Sequence, residues 1–119
     1  MKSIINIKRV YEDPSENDGI RILVDRLWPR GLSKDKAAVD EWAKELAPTT
    51  ALRKWFDHKP ERWKEFQKEY IAELKKNKTV DGFIEAHKKD KLLTLLYAAK
   101  DEEHTHALVL QAFLKIRLK

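Results

Sequence analysis

The chain has 119 residues, 42% hydrophobic and 38% charged, with a formal net charge of +5. That length suits one domain around one core, and four Trp with an ordinary apolar share exclude a disordered chain. With no cysteine, a disulfide frame, a thiolate nucleophile and a cysteine-ligated metal are excluded as well.

The first ten residues, MKSIINIKRV, lack the long apolar segment of a secretory leader, and no later run approaches a membrane span. A reduced, cytoplasmic setting without membrane contact fits this composition. Positive charge raises the question of a nucleic-acid partner. Most lysines, however, are interleaved with Asp and Glu. The short basic clusters at 75–78 and 87–89 fall near predicted helix ends, where cations favour the dipole. A solvated surface fits better than a nucleic-acid footprint.

Residues 3–10 (SIINIKRV) alternate loosely between apolar and polar and predict a first strand. The segment 12–19 (EDPSENDG) is built of turn formers and reads as a loop. Ile20 to Asp25 follow as a second, mostly buried strand. The loop between them permits a hairpin or a crossover, so their relative direction stays open. The second strand runs into Arg26-Leu27-Trp28-Pro29-Arg30-Gly31, a turn loaded with charge.

Beyond that turn the spacing becomes helical. Val39, Trp42, Ala43 and Leu46 predict one helix, capped by Ser33 and stopped before Pro48. Thr49 or Thr50 caps a short helix with Leu52, Trp55 and Phe56 facing inward. Pro60 opens a longer one whose buried stripe is Trp63, Phe66, Tyr70, Ile71 and Leu74. Asn77 ends it, and Thr79 caps the next, with Val80, Phe83, Ile84 and His87 on one side. Leu92 to Tyr97 form a third strand, apolar throughout and therefore central in the sheet. Asp101 to His104 begin a last helix with a broad apolar arc. The fold expected is α/β: a layered sheet of about three mainly parallel strands, packed by about five helices, in one domain over 1–119.

Function in small α/β proteins gathers beyond the carboxyl ends of strands. If the second and third strands are parallel neighbours, Asp25, Arg26, Trp28 and Arg30 lie opposite Tyr97, Lys100, Asp101 and His104. Guanidinium forks and the start of a helix suit a phosphate or carboxylate. Trp28 can stack on a planar group. His104 can act as acid or base near neutral pH, oriented by Asp101 or Asp25. Plainer roles exist for each. Asp25 with Arg26 or Arg30 also makes a structural ion pair, and Trp28 a core residue. Asp101, Glu102 and Glu103 are ordinary helix-start acids, and they repel an anion. His104 and His106 on one helix would point about 200° apart, so no metal site is expected. His58 reads as a cap and His87 as a surface residue. Walker, GxGxxG and GxSxG patterns are absent.

Four stretches carry a family likeness: KRVYEDPSENDGIRILVDRLWPRGLSK (8–34), KELAPTTALRKWFDH (44–58), WKEFQKEYIAEL (63–74) and TLLYAAKDEEHTHALVL (94–110). On these, and above all on RLWPRG with LLYAAKDEEH, the chain resembles the YeaO-like branch of the domain-of-unknown-function-488 proteins. The resemblance implies an α/β fold and a shared site, and it brings no established activity, cofactor or substrate. One position departs from the family pattern, which usually reads His-Asn-His where this chain has His104-Thr105-His106. Thr offers a cap and one hydroxyl in place of an amide's paired donor and acceptor. The reading is a small enzyme or ligand-binding domain for an anionic or nucleotide-like ligand. Arg26, Trp28, Arg30, Tyr97 and Lys100 would bind it, and His104, Asp25 and Asp101 would supply acid–base chemistry. The alternatives are a nucleic-acid-binding or regulatory module and a non-catalytic interaction protein.

Overall fold

The computed structural model describes residues 3–118. Residues 1, 2 and 119 lie outside them, and with them the ends of the leader-free reading and of the 1–119 domain. Strands β1 (Ile4–Arg9), β2 (Ile20–Leu23), β3 (Glu41–Trp42) and β4 (Leu92–Tyr97) form one parallel sheet in the order β1-β4-β2-β3. Five helices accompany it: α1 (Lys34–Ala37), α2 (Thr50–Phe56), α3 (Trp63–Lys76), α4 (Lys78–His87) and α5 (His106–Arg117). The α/β class, the parallel sheet and the central place of β4 agree with the sequence. The sheet has four strands rather than three. Because β1 and β2 flank β4 and run parallel to it, the loop at 12–19 is a crossover.

β4 is central for the reason its composition gave. Leu93, Leu95 and Tyr97 face a large core shared with Phe66, Tyr70 and Leu74 of α3 and Leu110 and Leu114 of α5. Leu96, one residue out of phase, joins Leu23, Val10 and Ala37 in a smaller core. A parallel strand covered on both faces must be apolar at both phases. Among the described residues, no helix is long and apolar enough to cross a membrane.

The segment 33–46 is not one helix. Ser33 does cap α1, accepting from Lys36 N at 3.2 Å, but α1 ends after one turn with Ala38 in the left-handed region at φ 48°. Asp40 N then donates to Arg21 O and Ala43 N to Leu23 O, each at 2.8 Å. The open edge of β2 offered carbonyls that needed donors, and satisfying them outweighed helical spacing. Trp42 consequently lies on an exposed edge strand, and Trp55, expected inside, is 41% exposed with the Arg62 guanidinium over its ring. The cap of α4 is Asn77, accepting from Thr79 N, rather than Thr79 itself.

A buried arginine holds the crossover in place. Arg21 is 4% exposed, pairs with Asp18, and donates to Ala37 O at 2.8 Å and Ala38 O at 3.0 Å. Lys8 also reaches Asp18, at 3.2 Å. The next residue after Asp18 is Gly19, at φ 65° and ψ −137°, and a Cβ there would collide with the backbone carbonyl of Leu92. Gly31 has a similar φ of 74° but faces open space. Gly19→Ala should therefore cost about 3 kcal/mol or more, from strain plus collision, against about 1 kcal/mol for Gly31→Ala. Urea unfolding midpoints of the two variants check this, and equal losses would contradict it.

Candidate functional site

β2 and β4 end side by side, Val24 N donating to Leu96 O at 3.0 Å. Their tails then separate and, with the segment around α2, enclose a cleft of about 600 Å³. Asp25, Arg26, Trp28, Arg30, Lys100, Asp101 and His104 all line it. Tyr97 does not: strand alternation turns it toward the helices, and it is a core residue at 2% exposure. Arg53, Phe56, His58, Phe66 and His106 also line the cleft. They were missed as binding residues, because α2, α3 and α5 reach the cleft only through tertiary packing, of which they carry no local signal.

The Asp25 carboxylate sits where the two tails meet. Its Oδ2 accepts from Ala98 N at 2.9 Å, while its backbone carbonyl accepts from the Trp42 indole N–H at 2.8 Å. Its Oδ1 lies 3.3 Å from His106 Nε2, and it is the one enclosed side-chain polar atom without a hydrogen bond among the described residues. Burial pushes the Asp25 carboxyl above its ordinary 3.8, against the opposing pull of His106, the Ala98 N–H and the Arg53 guanidinium. Burial also pushes His106 below its ordinary 6.5, against the opposing pull of Asp25 and the Val24 carbonyl. His106 Nε2 stands 3.0 Å from Val24 O. A carbonyl can only accept, so Nε2 carries the proton and Nδ1 of the neutral ring is bare.

A second imidazole is held in a similar way. His104 Nδ1 is 2.9 Å from Asp101 Oδ2, and this bond holds the Asp101 carboxyl below its ordinary 3.8. Asp101, not Asp25, is thus the acid in contact with His104. The last helix begins later than its acidic run implied. Asp101 Oδ1 accepts from Glu103 N and His104 N, closing a turn, and Thr105 caps α5 by accepting from Ala107 N at 3.3 Å. His104 therefore precedes the helix and shares the cleft with His106. Among the described residues no group of three His, Cys, Asp or Glu side chains is placed to hold a metal ion.

The cations differ in their engagements. Arg26 donates to Ala47 O at 3.1 Å and to Pro48 O at 3.3 Å instead of pairing with Asp25. Arg30, Arg53 and Lys100 make no ion pair among the described residues. Trp28 is wall and core at once: its indole N–H donates to Leu32 O at 2.7 Å, and its ring meets Trp42 edge-on. His87, expected at the surface, is buried between Glu41 at 2.8 Å and Asp90 at 2.9 Å, tying α4 to β3. His58 was expected as a cap; it faces the cleft beside Phe56.

The family described as "Inactive DUF488-N3 subclade" matches residues 4–119. The chain is similar to the uncharacterized protein YeaO of Escherichia coli, 45% identical over 93% of this chain and 96% of that protein. It is also similar to uncharacterized proteins of Mycobacterium bovis and Mycobacterium tuberculosis, each 49% identical over 59% of either chain. No solved structure matches.

The His106 environment has a consequence for stability. Its folded pKa lies below the unfolded value, so its contribution is present above about pH 6.5 and is lost as pH falls toward the folded value. The stability advantage of the wild type over His106→Gln should shrink below pH 6.5, by at most about 1.4 kcal/mol per pH unit. Urea unfolding from pH 7.5 to 5.5 measures it; a gap independent of pH would contradict the assignment.

Proposed function

We propose that this chain, which belongs to the inactive DUF488-N3 subclade, holds a small anionic ligand in the cleft between the tails of β2 and β4 without turning it over. The observation that carries the reading is a set of cations around one cavity, Arg30, Arg53 and Lys100, that make no ion pair among the described residues, with Arg26 beside them and Arg53 within electrostatic reach of Asp25. Like charges gathered on a cleft repel one another, and a bound oxyanion relieves that repulsion while accepting from the guanidinium forks. The two carboxylates present, Asp25 and Asp101, are each matched to a histidine. Of the three acids that argued against an anion from sequence alone, Glu102 and Glu103 are exposed and stand apart from the cleft lining, while Asp101 lines it and is bonded to His104.

Binding without turnover is favoured by the subclade's own description and by Thr105. Where the family usually has an amide, this chain has a buried hydroxyl engaged as a helix cap. The cleft keeps the shape and charge of a site while one polar position that could serve a reaction is given to structure.

Thermal unfolding in inorganic phosphate, against chloride at equal ionic strength, tests this directly. At a phosphate concentration of a hundred times Kd the expected stabilisation is about 2.7 kcal/mol, a rise in Tm on the order of 10 °C. Arg53→Ala and Arg30→Ala should each weaken the response about tenfold or more, the loss of a charge-assisted hydrogen bond. A response no greater than that to chloride, or one unchanged in both variants, would overturn the assignment.

A further inference from the structure

The two cleft histidines are each locked in one tautomer. Val24 O keeps the proton of His106 on Nε2, and Asp101 keeps that of His104 on Nδ1. The opposite nitrogens, His106 Nδ1 and His104 Nε2, have no hydrogen-bond partner among the described residues. Neither is enclosed, since Asp25 Oδ1 alone is both enclosed and unpartnered. In a neutral ring such a nitrogen is a lone-pair acceptor, and both histidines line the cleft. An oxyanion cannot donate to them, so an anion alone leaves them unanswered.

Other features narrow what can. The cavity of about 600 Å³ lies inside the range of roughly 300–1,000 Å³ typical of pockets for whole small molecules, far more than a bare phosphate fills. Arg26, Arg30, Arg53 and Lys100 would repel an ammonium donor, so the donor must be neutral. Phe56 and Phe66, stacked with centroids 4.5 Å apart, supply an apolar wall for a carbon skeleton.

We infer that the ligand is a phosphorylated polyol, with its phosphate at Arg30, Arg53 and Lys100 and its hydroxyls donating to His106 Nδ1 and His104 Nε2. This rests on the anion site proposed above and adds the second half of the ligand. His106 acts as a binding residue through its bare nitrogen, its tautomer fixed by Val24 O with the Asp25 carboxylate 3.3 Å from the same ring nitrogen.

Calorimetric titration of the full chain at pH 7.5 with methyl phosphate and with ribose 5-phosphate separates the two halves. Ribose 5-phosphate should bind at least tenfold more tightly than methyl phosphate. His106→Gln, whose amide nitrogen can still donate to Val24 O, should erase that preference and leave methyl phosphate binding in place. Equal affinities in the wild type overturn the polyol inference while leaving the anion site standing. Failure of both ligands to bind overturns both. A preference that survives in His106→Gln overturns the inference as assigned. If that variant does not fold, the wild-type pair alone still decides.

Discussion

The Asp25 carboxylate is the constraint on which the cleft depends. One oxygen accepts from Ala98 N and so joins the first residue beyond β4 to the tail of β2. The other faces His106 at the start of α5, and the same residue's carbonyl receives Trp42 from the sheet edge. Burying a carboxylate is costly, and here a backbone N–H and an adjacent imidazole offset the cost. Three segments distant in sequence are thereby fixed around one point, and the space between their tails becomes a cavity instead of a closed loop junction.

Arginines divide the work of frame and site. Arg21 knits the crossover and α1 to β2, Arg9 donates to Ala98 O and Ala99 O under the β4 tail, and Arg26 holds Ala47 and Pro48. Carbonyl partners satisfy their donors, and of the three Arg21 also has a carboxylate. Arg30 and Arg53 line the cavity. Polar groups that the frame needs are bonded within the chain, whereas Arg30, Arg53 and Lys100 make no ion pair among the described residues. His104 Nε2 and His106 Nδ1 likewise have no hydrogen-bond partner among the described residues.

Much of this was legible in the sequence, for identifiable reasons. The apolar run Leu92–Tyr97 could only be a strand covered on both faces, and that placed it at the centre. Charged residues directly after two buried strands located the cleft, because parallel neighbours bring their carboxyl ends together. What was not legible depended on partners remote in sequence. The helical spacing of Val39, Trp42 and Leu46 gave way to the edge of β2, a competitor invisible from within the segment. Tyr97 has the chemistry of a site residue and the phase of a core residue, and the phase decided. Arg53 and His106 reach the cleft through packing of α2 and α5, which local pattern does not encode.

The most direct measurement is a two-dimensional ¹H–¹⁵N correlation spectrum of the full chain, recorded during titration with ribose 5-phosphate. The account expects saturable shifts concentrated in the backbone amides of Arg26–Gly31, Ala98–His106 and the residues around Arg53, with the outer edge at β1 unmoved. Shifts centred on the exposed faces of α3 and α4, or none at saturating concentration, would contradict it.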